Sequence, residues 1–130
     1  MSFLDMNLED TPELSTVEEG EYEVRCTDIE RRHSEKTGGD YLLLRLEIPT
    51  IPESEQITEV LMLPTENDSE KQKIRRKNNI KRACQAFGVS FAGGIETEDF
   101  IGESAWCILT EQEDEEYGMQ NQVRRFVTEQ

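Results

Sequence analysis

A chain of 130 residues falls in the size range of one domain, and folding at this length buries roughly two-thirds of the unfolded surface. With 35% apolar and 33% charged residues the core has to be thin and the surface densely charged, which argues against a large layered enzyme and for a barrel or short sandwich. A formal charge of -15 excludes indiscriminate attraction to phosphate backbones, so any nucleic-acid role has to come from local clustering of the 14 basic side chains.

In chain order, residues 1–16 hold scattered apolar side chains (Phe3, Leu4, Met6, Leu8, Leu14) among acids and Pro12, the pattern of an N-terminal arm; residues 17–130 then form a single domain. Tyr22, Val24 and Cys26 alternate with Glu23, Arg25 and Thr27, a period of two that predicts a half-buried first strand running on through Arg32. Gly38 and Gly39 permit the positive φ that a hairpin needs. The strongest strand, Tyr41 to Ile48, places Leu42, Leu44, Leu46 and Ile48 on one face and Tyr41, Leu43, Arg45 and Glu47 on the other, and Pro49 and Pro52 end it.

A third strand is expected from Gln56 to Leu63, stopped by Pro64. Asn67, Asp68 and Ser69 supply N-cap side chains for a helix from about Asp68 to Phe87, whose apolar stripe is Ile80, Ala83, Cys84 and Phe87 and whose C-terminal cap is Gly88. A short segment at Glu98 to Ile101 precedes a fourth strand, Ser104 to Thr110, with Ala105, Cys107 and Leu109 inward in preference to Trp106 and Ile108. A fifth runs from about Gln122 to Thr128, and the acidic run from Glu111 to Glu116 is expected to loop between the last two. Three strands, one helix and two strands is the order of the oligonucleotide-binding fold, so the expected class is mainly β: a five-stranded Greek-key barrel with its helix between strands three and four.

No catalytic, metal or cofactor site is legible. His33 reads as a solvated surface residue, and Cys26, Cys84 and Cys107, an odd number without Cys-x-x-Cys spacing, read as reduced core side chains of a cytoplasmic protein. The acids lack the layout of a calcium loop, the glycines lack phosphate-loop spacing, and no apolar run is long enough for a signal peptide or membrane span.

The predicted helix stands apart: Lys71, Lys73, Arg75, Arg76, Lys77, Lys81 and Arg82 occur between 71 and 82 with no acid among them. The cluster is either a solvated face balancing acidic neighbours or a phosphate-tracking patch. Tyr41 and Trp106 are candidate stacking platforms for bases, with ordinary packing as the alternative for each. Arg45 shares Tyr41's face, and Arg25, Arg31, Arg32, Lys36, Arg124 and Arg125 form either a basic rim or a set of cross-strand ion pairs.

The opening Ser2-Phe3-Leu4-Asp5-Met6-Asn7-Leu8, the stretch Glu19-Gly20-Glu21-Tyr22, the turn Thr37-Gly38-Gly39-Asp40-Tyr41-Leu42 and the closing Asn121-Gln122-Val123 resemble a family of small phage-encoded proteins long catalogued as uncharacterised. The resemblance implies an oligonucleotide-binding fold and a single-stranded-DNA-binding role beside phage replication and recombination functions; it transfers no catalytic residue. Many single-stranded-DNA-binding proteins end in an acidic recruiting tail, whereas this sequence ends Arg124-Arg125-Phe126-Val127-Thr128-Glu129-Gln130 and keeps its acid run internal, so recruitment through a tail is not expected.

The leading expectation is a non-enzymatic, sequence-nonspecific accessory protein for single-stranded DNA in the host cell cytoplasm. Its expected partners are the strand itself, phage or host replication proteins and further copies of the chain. The rival is an acidic protein-binding module, or nucleic-acid mimic, engaging a basic partner.

Overall fold

The structure is a computed structural model that describes residues 2–128. Five strands, β1 (Gly20–His33), β2 (Asp40–Glu47), β3 (Ile57–Met62), β4 (Ser104–Asp114) and β5 (Gly118–Phe126), and one helix, α1 (Glu70–Phe87), follow one another with α1 between β3 and β4. The strands form one antiparallel sheet in the order β3-β2-β1-β4-β5.

The length of β1 explains this order. Its first half, Gly20 to Arg25, pairs with β4, and its second half, Arg25 to His33, pairs with β2. Between Cys26 and Asp28 the register slips, leaving Thr27 as a bulge that bends the strand and lets one segment serve two directions. The leucine alternation of β2 lands as its period requires, with Leu42, Leu44, Leu46 and Ile48 buried.

One face of the sheet is covered by α1, which contributes Ile80, Ala83, Cys84 and Phe87 to the core. The Phe87 ring meets Phe100 edge-on at 5.6 Å and Phe126 at 5.4 Å, so the helix, the 3-10 turn Thr97–Phe100 and the end of β5 converge on one aromatic cluster. All three cysteines are buried and free, and burial pushes the Cys107 thiol up to about 12. Among the described residues no helix is long and apolar enough to cross a membrane.

Three sequence expectations are corrected: the start of the helix, the acidic run as a loop, and the paired glycines. The helix begins at Glu70 because Ser69 is its N-cap, accepting the Gln72 N–H at 3.1 Å, while Asp68 accepts the Thr65 N–H in the preceding turn. The acidic run is mostly strand: β4 continues to Asp114, β5 starts at Gly118, and only residues 115–117 turn the hairpin. Of the paired glycines only Gly38 takes positive φ, at 76°. Gly39 packs closely on Thr65, whose Cγ2 would stand 2.9 Å from a Cβ there. The sheet is open: β3 and β5 are its two edges, with no ladder between them among the described residues.

The arm is rooted at its base. Ser15 bridges to Ser54 in parallel register, with Ser15 N–H donating to the Glu53 carbonyl and Glu55 N–H to that of Ser15, both at 2.9 Å.

Candidate functional site

The sequence-derived basic residues separate into two groups. The first surrounds the β1–β2 hairpin, where each arginine has an acidic partner. Arg25 pairs with Glu47, Arg31 with Asp40 at 2.9 Å, and Arg32 with Glu30 at 2.9 Å; Arg45 reaches Glu30 at 2.9 Å and Asp28 at 3.7 Å. The hydrogen bond from Arg45 holds Glu30 below the usual carboxylate range, as bonds from His33 and Arg31 do for Asp40. Arg25, Arg31 and Arg45 meet acids one strand away, the cross-strand arrangement that offsets charge on a sheet surface, while Arg32 pairs with Glu30 two residues earlier on β1. Lys36, in the hairpin loop, is exposed.

On α1 the bases divide again. Arg76 turns inward, its side chain 19% exposed, to donate to Asp68 Oδ2 at 2.9 Å and to the Leu63 carbonyl at 3.4 Å, tying the helix to the end of β3. Lys73 lies 3.6 Å from Glu70, and Lys81 stands over the Phe91 ring at 5.8 Å. Lys71, Arg75, Lys77 and Arg82 are exposed, and Lys71, Arg75, Asn78 and Arg82, spaced by four, three and four, share one helix face.

That face ends at the opening between the edge strands. Glu59, Val60 and Leu61 of β3, Asn79 and Arg82 of α1, and Arg124, Arg125 and Phe126 of β5 line a cleft of about 170 Å³. Arg124 is the extra residue of a β5 bulge, because Leu109 pairs with Val123 and Ile108 with Arg125. Among the described residues none of these three arginines pairs with a carboxylate. The cleft is therefore lined by three arginines from two elements, together with Glu59. Arg82 belongs to the basic helix cluster that the sequence marks, and its helical spacing from Arg75 places it on this face.

Glu59 was missed altogether. It pairs with Leu44 and so faces inward between Ile57 and Leu61 on the edge strand. Desolvation raises its carboxyl to about 7, with the Val60 N–H donating to it at 3.1 Å as the only opposing influence. An inward-pointing acid on an edge strand also discourages pairing with a foreign strand.

The two aromatics differ. Trp106 points outward from β4, 47% exposed, while Ala105, Cys107 and Leu109 face in. Its backbone carbonyl accepts the Val127 N–H at 2.8 Å, and Arg125 lies on the neighbouring strand opposite Ile108, which shares the outward face with Trp106. Tyr41 is half-buried on β2, between Arg32 of β1 and Met62 of β3 in the ladder. The structure thus places Trp106, Arg124 and Arg125 at one end of the sheet and leaves Tyr41, Arg45 and the hairpin arginines on another part of it.

These features define a small, mainly β domain with one helix, in which three arginines without an ion pair among the described residues line the opening between the edge strands. The chain belongs to the DUF669 family, proteins of unknown function, whose family model matches residues 4–126. No curated protein matches it.

Proposed function

We propose that this protein is a phage accessory protein that binds single-stranded DNA without sequence preference during replication or recombination. The observation that carries the reading is the cleft lined by Arg82, Arg124 and Arg125, none of which is in an ion pair among the described residues, beside an outward tryptophan. Guanidinium groups neutralise phosphates, and an exposed indole offers a π-face on which any base stacks, worth about 1–3 kcal/mol per base. The exposed Lys71 and Arg75 extend the cationic path along α1.

The strand order and the helix position support reading the domain as an oligonucleotide-binding barrel whose closing seam runs between β3 and β5. On that reading the strand is bound at the seam, and the ion-paired hairpin arginines contribute less. A net charge of -15 limits binding to this local track and favours displacement by salt.

Titration of labelled oligo-dT against the purified protein at two salt concentrations, with duplex of equal length as competitor, tests the reading. Tighter binding to the single strand, weakening steeply with salt, is the expected result. Binding that prefers duplex or ignores salt removes it. The second reading, an acidic module for a basic partner, is favoured by the acidic far end of β4, where Glu113 and Asp114 are exposed alongside Glu115 and Glu116 of the turn.

A further inference from the structure

The arm and the helix are complementary surfaces that one copy leaves uncovered. Phe3, Leu4, Met6, Leu8 and Leu14 all stand exposed, Phe3 at 86%, although the arm is rooted by the Ser15 bridge and by Val17. Between these apolar side chains lie Asp5, Glu9, Asp10 and Glu13, and the arm contains no lysine or arginine. An apolar segment of this kind gains about 25 cal/mol for each Å² it removes from water, so a surface that matches its charge has a ready occupant.

The matching surface is the outer face of α1. Lys71, Arg75 and Arg82 rim a shallow depression that also includes Ile74, Asn78 and Asn79, and Ile74 is 57% exposed at a helix position with no core role. An apolar centre ringed by cations is the counterpart of an apolar segment interrupted by acids. Within one copy neither the arm's apolar side chains nor Ile74 is covered.

We propose that the arm of one copy docks on the outer face of α1 of a second copy, its apolar side chains against Ile74 and its acids against Lys71, Arg75 and Arg82. Each copy carries both surfaces, so the contact closes as a reciprocal pair or continues head to tail. The proposal does not depend on nucleic-acid binding.

Sedimentation velocity of the full chain over a range of concentrations and salts tests it. Concentration-dependent association that weakens as salt rises is expected. Phe3→Ser/Leu4→Ser/Leu8→Ser, which alters only exposed side chains, should weaken association by about tenfold or more, because both burial and complementarity are lost. Asp5→Lys/Glu9→Lys/Asp10→Lys and Lys71→Glu/Arg75→Glu should each be monomeric alone and associate when mixed, since in the mixture the parent arm meets the parent helix and the reversed arm meets the reversed helix. Ile74→Ser replaces the helix variant should circular dichroism show the latter unfolded, and it should be monomeric. A parent that stays monomeric at all concentrations, as an arm docked on its own helix would, overturns the proposal. So does association that survives the arm serines, or reversed variants that fold and fail to associate on mixing.

Discussion

Asn121 and Val17 exchange two hydrogen bonds: the Val17 N–H donates to Asn121 Oδ1 and Asn121 Nδ2 donates to the Val17 carbonyl, both at 2.9 Å. The same amide donates to the Thr110 carbonyl at 3.1 Å, and Asn121 is only 8% exposed. A side chain thus pairs with the backbone just after the arm as a neighbouring strand would. Asn121→Ala leaves these backbone groups without partners and should destabilise the fold by about 1–3 kcal/mol, read as a lower midpoint in urea. Asn121→Asp, which keeps the acceptor and loses both donors, should also destabilise. An unchanged midpoint for both variants would show that the clamp is dispensable.

Glu59 makes stability depend on pH. It titrates at about 7 in the folded protein against an ordinary 4.5, so between these values the folded state holds a proton that the unfolded chain has released. Its contribution therefore becomes more unfavourable as pH rises from 4.5 to 7 and is constant above that range. Glu59→Gln, neutral throughout, should be more stable than the parent by up to about 3 kcal/mol near pH 8 and equal to it near pH 4. Urea melts at both pH values check this. An equal difference at both would contradict it.

Arg76 and Arg82 sit six positions apart on one helix and should respond in opposite ways. Arg76→Ala breaks the bond to Asp68, whose carboxyl is held below its usual range first by the Thr65 N–H and also by Arg76, and should lower the melting temperature. Arg82→Ala removes no ion pair among the described residues and should leave the melting temperature nearly unchanged while weakening oligonucleotide binding. Thermal melts and anisotropy titrations on the two variants separate the effects.

Trp106→Ala should remain folded, because the ring is half-exposed, and lose about 1–3 kcal/mol of binding to oligo-dT if a base stacks there. Tyr41, packed deeper in the sheet, should cost more stability on the same substitution than Trp106 does. A Trp106 variant that binds like the parent would clear the ring of any contact with bases.

The fold was legible wherever period and punctuation agreed. The leucines of β2, the caps Ser69 and Gly88 and the stripe Ile80, Ala83, Cys84 and Phe87 each carry a local rule that the tertiary structure obeys. The limits of β4 and β5 were hidden because Glu111 to Asp114 look like solvating charge, while in the hairpin their backbones pair and their side chains reach water. The site was legible in composition and not in pairing. Arg25 and Glu47 lie on different strands, as do Arg45 and Glu30, and only register brings them together. For the same reason the cleft that Arg82 shares with Arg124 and Arg125 depends on where β5 ends, and the inward turn of Glu59 on its register with Leu44.

The most direct test of the central claim is the salt dependence of oligo-dT binding for the parent beside Arg82→Ala/Arg124→Ala/Arg125→Ala. Each phosphate contact to a single strand contributes about 0.7 to the slope of log affinity against log salt, so loss of three should flatten that slope by about 2. A folded triple variant with weaker binding and the flatter slope is the predicted result. A folded variant with the parent's affinity and slope would contradict the assignment of the cleft to single-stranded DNA.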